Sequence, residues 1–133
     1  MKKVKVYIEK GADEYSAYMD DTQLDYSCLG QGNTVDETIE DFRKCYQEMQ
    51  KHFSDCGEPF EEVEFEYYYD IPSFLKEFAF AFSLAGLERI TGVNQKQLGH
   101  YISGYRKPSR KTISRIEAGV HNFAKTLSAI KFA

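Results

Sequence analysis

The apolar residues of this chain change their spacing at a short junction, Asp70-Ile-Pro-Ser73. Before the junction, apolar and polar residues alternate in several short runs, which is typical of half-buried β-strands. After it, apolar residues recur every three or four positions, as they do along amphipathic helices. The sequence therefore predicts an α+β protein in two parts, a small α+β domain over 1-70 and an all-α domain over 71-133.

The two predicted parts have opposite charge. Residues 1-70 contain 7 Lys/Arg and 18 Asp/Glu, a net charge of −11, whereas residues 71-133 contain 10 Lys/Arg and 3 Asp/Glu, a net charge of +7. Such asymmetry indicates separate partners, a polyanion for the basic part and a basic protein for the acidic part. The alternative is that the two parts neutralise each other in the fold.

The first part predicts the element order β-β-β-α-β, with one helix on an antiparallel-rich sheet. The predicted strands cover 4-9, 14-19, 25-29 and 61-69. A turn is expected at 11-13 and a glycine-rich turn at 30-32. Thr34 and Glu37 have the spacing of a capping box, so they predict the start of the helix, whose apolar stripe reaches Phe53.

The second part predicts four helices in succession. The first begins at Phe74, because Phe74, Phe78 and Phe82 are four residues apart. The next two cover 84-90 and 95-102. The last helix is long and carries apolar residues at intervals of three and four, namely Ile113, Ile116, Val120, Phe123, Leu127 and Ile130.

Residues 87-102 have the form of a helix-turn-helix. Gly92 gives the chain the conformational freedom of a tight turn, Val93 is expected beneath that turn, and Asn94 can cap the following helix. Glu88 stands four residues before Gly92, where such motifs usually carry a small residue. The Glu88 side chain is therefore expected to point outward. The alternative is that the two helices cross at an angle different from that of other helix-turn-helix motifs. The residues expected to face inward are Leu98, Tyr101 and Ile102.

The residues left on the outer side suit contact with duplex DNA. Glutamine can bond an adenine edge through two hydrogen bonds, and lysine can bond guanine or phosphate. Cations in the following loop would contact the DNA backbone and give affinity rather than sequence choice. The alternative is a plain helical hairpin with a solvated polar face. The predicted DNA-binding residues are Asn94, Gln95, Lys96, Gln97, His100, Tyr105, Arg106, Lys107, Ser109, Arg110 and Lys111.

The stripe on the last helix has two interpretations. It can close the helical core alone, or it can also serve as a dimer seam. Because most helix-turn-helix proteins bind paired half-sites as symmetric dimers, a homodimer or higher oligomer is expected.

Other features concern location and cofactors. No apolar run approaches the roughly 18–20 residues that span a bilayer, and the basic N-terminus continues as a strand pattern rather than as a signal core. A cytoplasmic protein is therefore expected. Cys28, Cys45 and Cys56 form an odd set that predicts reduced thiols. Cys45, His52 and Cys56 lack a fourth ligand for zinc, so neither a metal site nor a cofactor is expected.

Nearly the whole chain resembles HicB-like antitoxins. The likeness is carried by the N-terminal strands, by GQGNTVDETIEDFRKCYQEM (30-49) and by LAGLERITGVNQKQLGHY (84-101). The resemblance implies a partial RNase H-like N-terminal domain that neutralises a small, basic, mRNA-cleaving HicA-type toxin. It also implies a C-terminal helix-turn-helix domain that represses the operon encoding both proteins.

The likeness to RNase H does not predict an enzyme. That catalysis needs several carboxylates converging on two metal ions. The available carboxylates cluster at predicted turns, where a solvated face explains them, and they are Glu9, Asp13, Asp20, Asp21 and Asp25. A binding protein is therefore expected.

The net charge of the first part suits capture of a basic toxin by electrostatic steering, with aromatic contacts supplying buried area. The tyrosines expected to be exposed anchors are Tyr7, Tyr15, Tyr18 and Tyr68. The alternative is that most of them belong to the core of the sheet. An alternative function is a free-standing transcriptional regulator whose first domain senses a ligand or dimerises.

Overall fold

The computed structural model describes residues 1–20 and 23–133. These residues form two compact units, an N-terminal unit over Met1–Ser73 and a C-terminal unit over Phe74–Ala133. The binding role of each part stays a prediction. In chain order the elements are β1 (Lys2–Lys10), β2 (Tyr15–Met19), β3 (Leu29–Gly32), α1 (Val35–Asp55), β4 (Val63–Tyr69), α2 (Ile71–Glu77), α3 (Leu84–Thr91), α4 (Gln95–Ser103) and α5 (Arg110–Ala129).

The α+β class is confirmed, and the sheet is mixed. Its strand order is β3-β2-β1-β4. β1 is antiparallel to β2, and β2 is antiparallel to β3, whereas β1 and β4 are parallel. Parallel neighbours need a crossover connection between them, and α1 lies in the segment that returns the chain to β1. No helix within the described ranges combines the length and apolar character that a bilayer crossing requires.

Helix α1 begins where the capping residues predict. The Thr34 hydroxyl accepts a hydrogen bond from the Glu37 amide at 3.1 Å. The Glu37 carboxylate accepts from the Asn33 amide at 3.0 Å, one residue before the cap. One amide of the first helical turn and one amide just before the cap are thus bonded locally. The helix ends at Asp55, just before Gly57 enters the left-handed region with φ 70°.

The prediction for the third strand was wrong. Residues 25-29 were expected to be the strand and 30-32 a turn, but β3 itself covers Leu29–Gly32. Its glycines face α1 at very short range, since a Cβ on Gly30 would lie 2.5 Å from the Thr38 carbonyl oxygen. A strand with glycines at its inward positions shows no apolar alternation. The glycines here are therefore a requirement of packing and not of a turn.

The core of the N-terminal unit lies between α1 and one face of the sheet. Val4, Val6 and Ile8 of β1 are buried there, and so is Phe42 of α1. The Phe42 ring meets the Phe65 ring edge-on, with 4.9 Å between the centroids. Such an arrangement of aromatic rings adds to the stabilisation from burial alone. The alternation of β1 thus leaves its other residues on the opposite face of the sheet.

The helices of the C-terminal unit agree with the predictions except at the start. The spacing of Phe74, Phe78 and Phe82 predicted one helix that begins at Phe74 and runs through all three, but α2 begins within the predicted junction, at Ile71, and ends at Glu77. The Phe82 ring instead contacts the Phe123 ring of α5, with 6.1 Å between centroids. The equal spacing was misleading because Phe82 packs through a contact distant in sequence. Helices α3, α4 and α5 lie where the sequence predicts them.

Candidate functional site

The turn between α3 and α4 is held by bonds from its own residues. Gly92 adopts a left-handed φ of 75°, and its amide donates to the Glu88 carbonyl at 2.7 Å. The buried Thr91 hydroxyl accepts from the Val93 amide at 3.1 Å and donates to the Leu87 carbonyl at 2.7 Å. Val93 is buried beneath the turn, as predicted. Because the buried polar groups are paired, the angle between the two helices is well fixed.

Helix α4 has one buried side and one polar side. Leu98 and Tyr101 are buried. Gln95, Lys96 and Gln97 are exposed, and they form the first turn of the helix. The structure therefore presents an outward polar turn on a helix that is anchored from below.

The Glu88 carboxylate forms a hydrogen bond within the helix-turn-helix. Its carboxylate accepts from the Gln95 amide at 3.0 Å, and the Asn94 side chain accepts from the Lys96 amide at 2.8 Å. A carboxylate is favourable at this end of a helix, where the amides give a partial positive charge. Glu88 is thus a cap for α4. The first two amides of α4 are thus bonded within the motif.

The loop after α4 is fastened to that helix by aromatic contacts. The His100 ring packs against the Tyr105 ring with 4.9 Å between centroids, and the Arg106 guanidinium carbon lies 5.8 Å from the centre of the same ring. The Arg106 amide also donates to the His100 carbonyl at 3.3 Å. Tyr105 remains 70% exposed. The loop therefore holds an accessible phenol beside the last turn of α4.

Four exposed cations surround the start of α5, and they are Arg106, Lys107, Arg110 and Lys111. Ser109 caps this helix by accepting from the Thr112 amide at 3.2 Å. The first turn of α5 has no acidic residue. Cations are unfavourable at a helix N-terminus, and among the described residues none of the four forms an ion pair with a carboxylate. Cations placed against the helix dipole without an acidic partner point to a functional surface. Such a surface suits a polyanion, which would supply the negative charge.

Arg115 was not among the predicted site residues. Its guanidinium donates to the Gly92 carbonyl at 2.8 Å, so it joins α5 to the turn between α3 and α4. The signal in the sequence was its spacing, because Arg115 follows Lys111 by four residues and shares its side of the helix. Arg115 thus links the two elements that carry the predicted contacts.

Helix α5 also passes very close to the end of α3. A Cβ on Gly119 would lie 2.5 Å from the Ile90 carbonyl oxygen and 2.8 Å from the Thr91 Cα. On Gly99 of α4, in contrast, the nearest atom to a Cβ would be a Leu84 methyl carbon at 3.8 Å, an ordinary contact. Close packing of α5 on α3 therefore requires a glycine at position 119, whereas the space around Gly99 would admit a methyl group.

We expect opposite effects from alanine at these two positions. Gly99→Ala should raise the free energy of unfolding by up to about 1 kcal/mol, because alanine favours a helix. Gly119→Ala should lower it by about 1–3 kcal/mol despite the same preference, because the methyl group overlaps the backbone of α3. Urea unfolding of both variants measures the difference. Equal stabilisation by the two changes would mean that α3 and α5 lie farther apart.

In the N-terminal unit, large side chains form a row across the sheet on the face opposite α1. Tyr7 is paired with Tyr18 on one side and with Tyr68 on the other, and Tyr18 is paired with Leu29. The centroid of the Tyr7 ring lies 5.6 Å from that of the Tyr18 ring and 6.0 Å from that of the Tyr68 ring. These four residues, one from each strand, are called the tyrosine row.

The row contains three of the four predicted tyrosine anchors. Tyr15 is not a member, because it is buried in the core on the α1 side, with 5% of its surface exposed. The expectation that Tyr15 is exposed was therefore wrong. Leu29 was missed, although it is 66% exposed and extends the row to the edge of the sheet.

Carboxylates hold the phenols of the row. The Tyr18 hydroxyl donates to the Glu9 carboxylate at 2.7 Å, and the Tyr68 hydroxyl donates to the Glu66 carboxylate at 3.2 Å. The Lys5 ammonium nitrogen lies 5.0 Å from the centre of the Tyr68 ring. The tyrosine row is thus an apolar strip in which the hydroxyls of Tyr18 and Tyr68 bond to carboxylates. The Lys5 cation already lies over the face of the Tyr68 ring.

No protein-family model, curated protein or solved structure matches this chain.

The tyrosine row makes a prediction for alkaline pH. The hydrogen bond to Glu9, together with burial and the charge of Glu9, raises the pKa of Tyr18 to about 12. NMR of the tyrosine ring carbons should therefore show Tyr18 ionising well after an ordinary tyrosine, near 10. Glu9→Gln should lower this pKa, because the carboxylate is removed. A Tyr18 titration unchanged by Glu9→Gln would contradict the assigned cause.

The sign of the effect on stability follows from the same shift. A raised pKa in the folded state means that folding favours the protonated phenol. The Tyr18–Glu9 contribution to stability is therefore complete below pH about 10 and is lost as the pH rises towards about 12. Tyr18→Phe supplies the control, since it removes the titrating group.

The candidate metal ligands and thiols are placed as follows. Across residues 1–20 and 23–133, no group of three or more His, Cys, Asp or Glu side chains comes together in a way that could hold a metal ion. Asp21 lies outside the described residues. The three cysteines are free, and burial raises the pKa of the Cys28 thiol to about 12. The exposed Cys56 has its sulfur 3.9 Å from the His52 Nε2 atom.

Proposed function

We propose that the chain is the antitoxin of a type II toxin–antitoxin system and acts through two binding surfaces. The C-terminal unit, as a helix-turn-helix domain, binds duplex DNA and represses the operon that encodes it. The N-terminal unit, as a partial RNase H-like domain, binds and neutralises a small, basic, HicA-like toxin that cleaves mRNA. The chain itself has no catalytic role in this proposal.

The observation that carries the DNA-binding part is the polar first turn of α4. Gln95, Lys96 and Gln97 are exposed on a helix whose Leu98 is fully buried. An α-helix fits the major groove of DNA, where glutamine recognises adenine and lysine recognises guanine. Glu88 and Asn94 bond the first two amides of α4 and so hold in place the turn that carries these exposed side chains.

The cations at the start of α5 complete the proposed DNA surface. They lie directly after α4 in the chain, and the contacts of Tyr105 with His100 and Arg106 fasten the loop to that helix. Phosphate contacts of this kind fix the register of a protein on the duplex and provide most of its affinity. The net charge of +7 over residues 71-133 supports the same assignment.

The tyrosine row supports the toxin-binding part. Tyrosine is enriched at protein interfaces because it buries a large area and still offers a polar group. Glu9 and Glu66 lie at the hydroxyls of the row, and residues 1-70 have a net charge of −11. Such a surface suits a cationic protein, whose arginines can stack on the rings and pair with the carboxylates.

DNA binding is tested by selecting duplexes from a randomised library with the purified chain. We expect enrichment of one sequence, with affinity that falls steeply as salt increases because phosphate contacts release counterions. Absence of any enriched sequence, with binding equal on all duplexes, would remove the role of α4 in sequence recognition.

Toxin binding is tested by co-expressing the chain with the product of the neighbouring gene. A small basic protein that co-purifies, and whose RNA cleavage stops when the chain is added, supports the antitoxin. If DNA binding is found and no such protein exists, the chain is a free-standing regulator, with an N-terminal unit that senses a ligand or dimerises.

A further inference from the structure

The C-terminal half of α5 carries apolar side chains that its own unit leaves uncovered. Ile116 is buried, and Gly119 lies against the end of α3. Beyond them, Leu127 is 51% exposed and Ile130, the C-cap residue, is 49% exposed. The stripe that is buried at Ile116 therefore continues past the core of the unit.

The spacing of this stripe is that of a coiled-coil seam. The intervals from Ile113 to Ile130 alternate strictly between three and four, which is the pattern of heptad positions a and d. A helix that only covers a globular core usually has a broader apolar face. The narrow seam thus indicates a second helix as the missing neighbour.

Charge is nearly absent around the seam. Lys125 is the one Lys, Arg, Asp or Glu between Ala118 and Ile130, in a chain that is 29% charged. Counted from Ile113 as position a, Lys125 falls at position f, on the far side of the helix. The positions that flank the seam in its second half are the small residues Ala124 and Thr126. Small flanking residues allow another backbone to approach closely.

We infer that the C-terminal halves of α5 from two copies of the chain pair antiparallel to form a homodimer. In a two-fold interface each contact occurs twice. With the axis at the level of Lys125, Phe123 meets Leu127 of the second copy, and Val120 meets Ile130 of the second copy, at the end of the helix. In this register Glu117 lies beside Lys131 of the second copy, so the charges at the two ends are complementary.

The antiparallel direction follows from what the first half of α5 already contacts. A parallel pair would bring the N-terminal halves together, but Ile116 and Gly119 are in contact with their own unit. It would also place the cations Arg110 and Lys111 of both copies at the same end. The antiparallel pair separates these cations and uses the half of α5 that carries the exposed Leu127 and Ile130.

An open groove beside the seam gives the second helix room. It has a volume of about 520 Å³ and lies between α3 and α5, with Arg89, Ile90, Asn122 and Phe123 among its lining residues. Gly86 and Gly119 are also in its wall and contribute no side chains. The pairing does not depend on the proposed DNA or toxin binding.

The test measures the mass of the full chain in solution by light scattering after size exclusion, without DNA. We expect a dimer for the parent chain and a monomer for Leu127→Glu, because a carboxylate would be buried in the seam. Lys125→Glu is the matched control, since it changes charge on the far side of the same helix and should leave the dimer intact. A parent chain that stays monomeric at every concentration, or a dimer insensitive to Leu127→Glu, would overturn the inference.

Cross-linking tests the direction of the helices and does not require a variant that dissociates. In a Cys56→Ser background, Thr126→Cys should link to its own counterpart through a short bismaleimide, because the two residues lie near the axis. Lys131→Cys should not link, because the two copies of this residue lie at opposite ends of the pair. Linkage at residue 131 and not at 126 would show a parallel or different contact and refute the antiparallel register.

Discussion

Replacing Lys96 or Gln97 by alanine is expected to reduce discrimination at one base pair of the preferred DNA site by about 1–3 kcal/mol. Both side chains are exposed on the first turn of α4, where they are available for base edges. Because the fold does not use them as core, the variants should unfold like the parent chain. Competition binding with single-base variants of the selected duplex measures the loss. Each replacement should make the protein indifferent at one position and leave the others unchanged.

Arg106→Ala and Arg110→Ala should act differently. Each removes one cation beside the start of α5, so binding to all sequences should weaken alike and the slope of log affinity against log salt should fall by about 1. Lys125→Ala is the matched control, because this cation lies on the same helix, away from the predicted cluster. If the variants of Lys96 and Gln97 gave the same pattern across sequences as those of Arg106 and Arg110, α4 would not be the recognition helix.

Gly30→Ala is expected to lower the free energy of unfolding of the N-terminal unit by about 3 kcal/mol, the upper end of the usual range for overpacking. The added Cβ would lie 2.5 Å from the Thr38 carbonyl oxygen, 2.6 Å from the Phe42 amide nitrogen and 2.8 Å from the Phe42 Cβ. Two of these atoms belong to the backbone of α1, which cannot move aside without displacing the helix from the sheet.

Gly57→Ala measures the effect of backbone conformation on stability without an effect of packing. A Cβ on Gly57 meets nothing within 4 Å, but the residue has φ +70°. Alanine there should lower stability by about 1–2 kcal/mol through the left-handed conformation alone. Urea unfolding of both variants gives the comparison. A Gly30→Ala variant as stable as the parent chain would mean that β3 is not held against α1 at this distance.

Much of the fold is readable in local signals. Thr34 and Glu37 predict the start of α1 because a cap acts within one turn of helix. Gly92 and Asn94 predict the break between α3 and α4 for the same reason, and the buried Leu98 follows from helical period. These features depend on residues a few positions apart, and the sequence contains that information directly.

Features that depend on distant neighbours were missed. The strand at β3 is hidden because Gly30 and Gly32 are selected by contact with α1. The role of Glu88 as a cap for α4 requires the crossing of two helices, and that of Arg115 requires a contact with Gly92, 23 residues away. The spacing of Arg115 from Lys111 places it on the same side of α5, but the partners in these contacts are set by the tertiary fold.

The tyrosine row shows the same limit for the candidate site. Tyr7, Tyr18 and Tyr68 were chosen individually, but their alignment depends on strand register and on the parallel pairing of β1 with β4. Tyr15 belongs to the same strand as Tyr18 and lies three residues earlier, so alternation places it on the other face. Register therefore decides which aromatic residues act together.

Both outer strands of the sheet have a backbone donor bonded to a side chain of α1. The Gln31 amide of β3 donates to the Asp41 carboxylate at 2.9 Å, and the Val63 amide of β4 donates to the Tyr46 hydroxyl at 3.1 Å. A further strand joining at either margin would have to compete with these bonds. At these two positions, the addition of a strand from a neighbouring molecule is thus opposed on both sides of the sheet.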